Sequence, residues 1–599
     1  MTASLSPRLQ GGDTLAASSA SRDARRTEAV PAVTERGRVL VMGDDTRGFL
    51  ATVRSLGRRG VEVHAAPFDF RAPALSSRYV SAVHDIPPWM GDGQAWQTAM
   101  RALLETQRFD LVIPCDERNL LPMHLVREQF AGLTRFAIPN GEAIDALFDK
   151  HSTRELAERV GVAIARGRVA QPGEDAGQVL AEFGAPVVVK PRRSYTIDGL
   201  AKRGRVHLVS DRAALQPLLD EAEPDSLLVE SCFEGRGLGL SILAHRGRLL
   251  QAFEHHRVHE RSGSSFYRIS APPNPELVEA CAAMTAGVDF TGIAMFEFKQ
   301  NERGEWILLE VNARPWGSLP LPVALGVEFP YRWYRLLVHG EETPPMPYRV
   351  GVYGRNLIPD LIAALADAQA NGHGRVGRSL ALGWRMLGLR RMLLDGERED
   401  LFVADDRAPA YAQLNGLLSG GVGRAARAVP GGRALNQRQA RARVRDAARQ
   451  RPTDVLFACQ GNICRSPYAA ALLQHMTRDD PRIVVRSGGM MPRNGRPVPD
   501  LFQRHAESEG VALAEHRSAW LDRAAASSAS LIVLFDRVNV AAVSDRYPEL
   551  RDRIVLLGHL TGVGEIDDPV DGDAAVVAAT YAQIRRAVEE LHNLLTLSK

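Results

Sequence analysis

The sequence predicts an α/β multidomain chain that closes with a small doubly wound parallel-sheet domain. Three observations carry that expectation. Strand-like and helical segments alternate over 37–140, apolar β-like runs separated by helix-rich stretches fill 141–340, and a second β/α alternation occupies 453–599.

The totals set the frame. A chain of 599 residues with 45% hydrophobic content is several domains long, each with enough apolar residues for a core. Lys+Arg 74 against Asp+Glu 71 leave a formal net charge of +3, too little over this length to imply a nucleic-acid partner. Cys115, Cys232, Cys281, Cys459 and Cys464 are odd in number and lack paired metal spacing, so a reducing cytoplasm fits better than a disulfide framework. No apolar run reaches the roughly 18 residues that span a bilayer, so no transmembrane segment is expected. Residues 1–36, rich in Ala, Ser, Thr and Arg without an apolar stretch, read as a disordered tail.

Along the chain, "RVLVMGDDTRGFLATVRSLGRRGVEVHAA" reads as strand, turn, helix and strand, with the short glycine signal "GDDTRG" an ordinary βα turn. "DLVIPCDE" is another buried strand that ends in polar residues, where open α/β sheets place ligand contacts. The body over 141–340 is α+β, and 341–418 is read as a helical extension. Within that extension Val376–Leu394 has a basic and an apolar face, best read as a helix on its own domain. From 419 to 452 the composition shifts, with nine arginines and one aspartate between Gly420 and Arg451, and a solvated basic linker is expected.

"CQGNICRSP", Cys459 to Pro467, follows the apolar run "VLFA". A short loop with Gly461 and Asn462 can turn its backbone N–H groups inward as an anion nest, and Ser466 and Pro467 suit the first turn of a helix. Cys459 against that nest would favour the thiolate, the nucleophilic form. Arg465 offers a planar fork for two phosphoryl oxygens. This chemistry needs an acid for the leaving oxygen and then a base for water. "EIDDPVDGD" supplies Asp568 before Pro569, with Asp567 as its competitor.

With "RSGG" (486–489), "GVALAEHRS" (510–518), "LIVLFD" and the Asp568–Pro569 pair, residues 453–599 resemble the low-molecular-weight protein tyrosine phosphatases. The resemblance implies Cys459 as nucleophile, Arg465 as phosphate clamp, Ser466 as the hydroxyl that supports the thiolate, Asn462 as loop-shaping residue and Asp568 as general acid. It implies a phosphorylated protein or small aryl phosphate as substrate and no cofactor. Two departures bear on specificity: Val570 stands where the family often has an aromatic wall, and Gln460 follows the nucleophile. In this family a neighbour such as Cys464 can also form a reversible disulfide with the nucleophile.

In the first half, Lys150 opens a predicted helix and Lys190 ends the buried strand "APVVVKP", two lysines suited to one polyphosphate. Glu230 in "LLVESCF" ends a strand at an adenine-sized hinge. Glu297 in "AMFEFK", with Glu310 and Asn312 in "LLEVNARP", places oxygen ligands on adjacent strands, and one or two carboxylates plus nucleotide phosphates are what Mg²⁺ takes. Arg314 could touch the transferred phosphate.

That order of lysine, strand lysine, hinge glutamate, glutamate and Glu-x-Asn-x-Arg resembles the ATP-grasp superfamily, closest to its carboxylate–amine ligase and carbamoyl-phosphate-synthase-like branches. It implies a pre-ATP-grasp α/β domain over 37–140 and an ATP-grasp domain over 141–340. ATP and Mg²⁺ are the implied cofactors, with Lys150, Lys190, Glu230 and Arg314 on the nucleotide and Glu297, Glu310 and Asn312 on the metal. A carboxylate and an amine are the implied further substrates. The combined expectation is a bifunctional protein. Its alternatives are an ATP- or ligand-sensing first half that regulates the phosphatase, and a phosphate-binding second half that serves a ligase.

Overall fold

The computed structural model describes residues 37–200, 204–261, 264–370, 396–425, 432–450, 452–491, 494–570 and 572–596. The expected tail 1–36 and the amphipathic segment 376–394 lie outside the described residues.

The first sheet is parallel, built from β1 (Arg38–Met42), β2 (Glu62–Ala66), β3 (Val80–Val83), β4 (Leu111–Pro114) and β5 (Arg135–Phe136) in the order β3-β2-β1-β4-β5. The order reverses beside β1, so the carboxyl ends of β1 and β4 open on one crevice. Asp45 and Asp116 stand there. Asp45 accepts from the N–H groups of Arg47, Gly48 and Phe49 at 2.8, 2.7 and 3.0 Å and so starts the helix Gly48–Gly57. A side chain at Gly48 would put its Cβ 3.2 Å from the Trp316 carbonyl, which is why the helix begins on glycine. Asp116 caps Glu117–Leu125 through the Arg118 N–H at 2.8 Å.

The second body has two sheets. A four-stranded antiparallel sheet comprises β6 (Gly167–Val169), β7 (Val187–Pro191), β8 (His207–Val209) and β9 (Leu227–Ser231) in the order β6-β9-β7-β8. A larger sheet comprises β10 (Arg236–His245), β11 (Arg248–Arg261), β12 (Ser264–Ala271), β13 (Gly292–Gln300), β14 (Trp306–Asn312), β15 (Tyr353–Arg355) and β16 (Glu397–Glu399), in the order β14-β13-β10-β11-β12-β15-β16. Its last two strands come from the extension read as helical. Each has three residues, too short to show a period of two. Their neighbourhood is held by charges rather than by an apolar pattern, for Arg268 on β12 grips Asp400 with two bonds of 3.0 and 2.6 Å while both are almost fully buried. The helices Leu357–Ala370 and Ala408–Ala425 complete the extension.

The third body is a parallel sheet of β17 (Thr453–Cys459), β18 (Ile483–Gly489), β19 (Leu531–Leu534) and β20 (Ile554–Leu556) in the order β18-β17-β19-β20. Val455 to Ala458 are fully buried in its centre. Helices Arg465–Met476 and Ala574–Thr596 cover one face through Tyr468, Leu473, Tyr581, Ile584 and Leu591, and Val543, Tyr547 and Leu550 cover the other. Burying each such side chain contributes about 1.5–3 kcal/mol.

The segment read as a solvated linker contains the helix Gly432–Ala447, which joins this core through Ala440, Val444, Ala447 and Ala448. Its arginines bind outward neighbours: Arg443 donates to the Ile554 carbonyl at 2.7 Å and Arg441 pairs with Glu590 at 2.9 Å. Among the described residues no helix is long and apolar enough to cross a membrane.

Candidate active site

β17 is flanked by strands on both sides and ends on Cys459, so the loop Gln460–Cys464 springs from the carboxyl edge of the sheet, directly before the helix Arg465–Met476. Asn462 closes this loop. It is fully buried with φ +51°, a left-handed turn that asparagine tolerates better than most residues. Its side chain donates to Ser466 Oγ (2.9 Å) and Ser487 Oγ (3.0 Å) and accepts from Ala519 N (2.8 Å), and its carbonyl meets His516 Nε2 at 2.9 Å. The Asn462 N–H points at Cys459 Sγ from 3.3 Å, and Ser466 Oγ stands 3.0 Å from the same sulfur.

Arg465 is 1% exposed. Its Nη1 donates to Asp536 Oδ2 (2.7 Å) and to the Ile566 carbonyl (2.9 Å), and its Nη2 donates to Asp568 Oδ2 (2.7 Å). Its buried Nε has no partner, a donor left over beside the nest. Burial opposes the guanidinium charge, but Cys459, Asp568 and Asp536 outweigh it and hold its pKa above the ordinary value. Burial, reinforced by Cys459, pushes the Cys464 thiol well up, so Cys464 stays protonated. Asp567 and Asp568 are both exposed, and of the two it is Asp568 that pairs with Arg465.

All four residues expected to carry the phosphatase chemistry, Cys459, Arg465, Ser466 and Asp568, thus lie together. Sequence reading missed three of their supports: Ser487, His516 and Asp536. Asp536 carried a usable signal, since it ends the apolar run "LIVLF" at the carboxyl edge of a strand, as Asp116 does in the first half.

The residues singled out in the first half form two groups. Lys190 on β7 binds Glu230 on β9 at 2.7 Å, and Arg154 takes the other Glu230 oxygen at 3.0 Å. The Glu230 carboxylate, expected at the adenine, is thus held between Lys190 and Arg154. Lys150 donates to Ser194 Oγ at 3.1 Å, next to Asp149, which burial would raise but Arg192 and Arg193 hold below the usual carboxylate range.

In the second group Glu297 on β13 lies directly opposite Glu310 on β14. Asn312 Nδ2 lies 3.2 Å from Glu297 and 3.3 Å from Glu310, and Arg257 from β11 pairs with Glu297. Arg314 reaches Glu117 at 3.1 Å and Asn312 Oδ1 at 3.4 Å. A cavity of about 200 Å³ has Glu117, Asp149 and Arg193 in its wall, so it touches the partners of both groups. Among the described residues no three His, Cys, Asp or Glu side chains are grouped to hold a metal by themselves. The paired carboxylates of Glu297 and Glu310 are the donor type that Mg²⁺ takes beside phosphates and water, whereas Asn312 turns its Nδ2 toward them and its Oδ1 toward Arg314.

Residues 454–599 match the family model described as low molecular weight phosphotyrosine protein phosphatase, and residues 223–353 match the one described as ATP-grasp in the biosynthetic pathway with Ter operon. The low molecular weight protein-tyrosine-phosphatase Wzb of Salmonella typhi is 28% identical over 136 residues, which are 23% of this chain and 89% of that protein. A protein-arginine-phosphatase of Bacillus subtilis (strain 168) is 32% identical over 146 residues, 23% of this chain and 91% of its own length. Among solved structures, N5-carboxyaminoimidazole synthetase from Staphylococcus aureus aligns at 15% identity and TM-score 0.44, covering 56% of this chain and 86% of that one.

Proposed function

Through residues 454–599 the chain belongs to the low molecular weight phosphotyrosine protein phosphatase family, with an ATP-grasp half before it, and from that premise we propose that the second half hydrolyses aryl phosphates on proteins through a phosphocysteine. Cys459 Sγ attacks phosphorus and the bond to the leaving oxygen breaks, with Asp568 giving that oxygen its proton. Asp568 then takes a proton from water, which attacks the phosphocysteine, releases phosphate and returns the thiolate. Arg465 and the loop N–H groups hold the charge on the phosphoryl oxygens. The observation that carries this reading is that Cys459 Sγ lies within hydrogen-bond reach of the Asn462 N–H and Ser466 Oγ, in the same loop and helix turn as Arg465 with its unpartnered, buried Nε.

For the first half we propose an ATP-dependent ligase step: a substrate carboxylate is phosphorylated and an amine displaces the acyl phosphate. Lys150 and Lys190 would bind phosphates, Arg314 the transferred group, and Glu297, Glu310 and Asn312 a Mg²⁺ that neutralises phosphate charge. The five cysteines, none in a disulfide, support a cytoplasmic setting.

The deciding assay is phenyl phosphate hydrolysis by the full-length protein and its variants in reducing buffer. Wild type should turn over, Cys459→Ser should be inactive, and Asp568→Asn should be slowed by roughly 10²–10⁴-fold. An active Cys459→Ser variant would refute the mechanism. ADP formation that requires a carboxylate and an amine together tests the ligase step; ATP binding without such turnover would favour the sensor reading.

A further inference from the structure

The loop after β2, Pro67–Arg71, belongs to the first half, yet its Phe68, Phe70 and Arg71 form one wall of a cavity of about 210 Å³ whose opposite wall is Gln460, Met490 and Trp520 of the phosphatase. Gln460 directly follows Cys459, and Met490 N–H donates to the Cys459 carbonyl at 3.1 Å, so the cavity continues from the phosphate loop itself. We propose that this cavity is a specificity pocket, shared by the two halves, for an aromatic side chain next to the phosphotyrosine of a peptide substrate.

Four observations carry the proposal. Gly37–Lys599 fall in one compact unit, and the seam beside the pocket is tied by charges: Asp85 of the first half accepts from Arg546 at 2.9 Å and from Arg523 at 3.4 Å, and Arg71 donates to the Val538 carbonyl at 3.4 Å. The walls set the rings of Phe68, Phe70, Trp520 and Tyr547 among polar side chains whose charges are paired. Arg546 stacks over Phe70 (5.4 Å) and Trp520 (5.0 Å) while paired to Asp85, and Arg71 is paired to Asp69 at 3.0 Å, so the arginine charges are spent. The loop is also pre-shaped, since Asp44 accepts from Phe68 N–H (2.9 Å) and Asp69 N–H (2.7 Å) and Arg118 packs 4.0 Å over the Phe68 ring. Finally, a cavity of about 150 Å³ takes a benzene ring, so the volume suits one aromatic side chain. The phosphatase half offers only exposed Val570 after its Asp-Pro pair, which leaves the aromatic surface to this shared pocket.

This inference rests on the phosphatase reading of Cys459, and its test separates the two. The full-length protein is assayed on phenyl phosphate and on two peptides that differ only in carrying Phe or Gly on both sides of phosphotyrosine. Wild type should prefer the Phe peptide by roughly fivefold or more in kcat/KM, mostly through KM. Phe70→Ala should shrink the preference to within about twofold, and Phe70→Leu, which keeps an apolar wall, should retain part of it. Equal preference in wild type and Phe70→Ala, or no preference in wild type that still hydrolyses phenyl phosphate, overturns the shared pocket alone. Failure of reduced wild type on all three substrates overturns the phosphatase reading and this inference with it.

Discussion

Arg465 and Asp568 are joined at 2.7 Å, so the expected phosphate clamp and the expected general acid occupy each other before any anion arrives. Asp536 holds the other side of the same guanidinium at 2.7 Å. On the proposed mechanism a phosphate in the nest would compete with Asp568 for Arg465 and free that carboxylate for the leaving group. The removal of its charge should therefore separate binding from turnover. In Asp568→Asn, inhibition by inorganic phosphate should tighten by roughly three- to tenfold as a like charge is withdrawn from an anion site, while turnover of phenyl phosphate falls. Unchanged phosphate inhibition would show that the ion pair does not compete with the ligand.

Asn462 shapes the nest by conformation and by hydrogen bonds, and two substitutions resolve these. Asn462→Gly keeps the φ of +51° accessible but strands Ser466, Ser487 and the Ala519 N–H. Its cost in urea unfolding should be about 1–3 kcal/mol. Asn462→Ala should cost about 1–2 kcal/mol more, because a Cβ disfavours the left-handed region. Equal losses would mean that the backbone strain is relieved elsewhere.

Both findings bear on what could be read from sequence. Cys459, Arg465 and Ser466 sit within one loop and helix turn, so their spacing alone reported their meeting. Asp568 was reached through its proline and the family resemblance. Ser487 arrives from β18, His516 from the segment between β18 and β19, and Asp536 from the turn after β19, and their meeting depends on strand order, which spacing does not encode. Glu230 shows a subtler limit. Its strand-end position was legible, but its carboxylate direction depends on Lys190 one strand away and on Arg154 from a helix. The strands β15 and β16 escaped because three residues show no period, and the helix Gly432–Ala447 because its apolar face is made of alanine and one valine among arginines.

His516 gives the site a pH dependence. Burial lowers its pKa below the ordinary 6.5, only partly offset by the Asn462 carbonyl. The unfolded chain thus binds a proton at a pH where the folded one does not, so stability rises with pH through this window. His516 contributes fully above 6.5 and progressively less as pH falls from 6.5 toward its lower folded value. Denaturant midpoints of the phosphatase half should drop over that interval, and His516→Gln should flatten the drop. A slope that survives the substitution assigns it to other half-buried histidines, such as His559, whose pKa burial also lowers.

In the first half Glu297 faces two demands, since Arg257 pairs with it and Asn312 donates to it where a Mg²⁺ is proposed. Glu297→Gln removes the charge that both cations want. The rise in melting temperature of the first half on adding ATP with Mg²⁺ should be largely lost in this variant. Any smaller rise with ATP and EDTA should persist, because the lysines remain. Full retention of the Mg²⁺-dependent rise would move the metal away from β13 and β14.

The helix Gly432–Ala447 makes the proposed boundary between the halves a physical question. Val444 is fully buried against the phosphatase core, with Ala440, Ala447 and Ala448 on the same face. Removing this helix should uncover part of that core. Val444→Asp places a charge in the apolar seam, and buried unpaired charges are among the most disruptive single changes. In the full-length protein this variant should lower the thermal midpoint for loss of phenyl phosphate hydrolysis and leave that for loss of ATP binding in place. Val444→Ala should lower the first midpoint less, by the cost of a small cavity, roughly 1–3 kcal/mol. A shift of both midpoints together would mean that the helix couples the halves, whereas no shift in either would make it the solvated spacer that its arginines suggest.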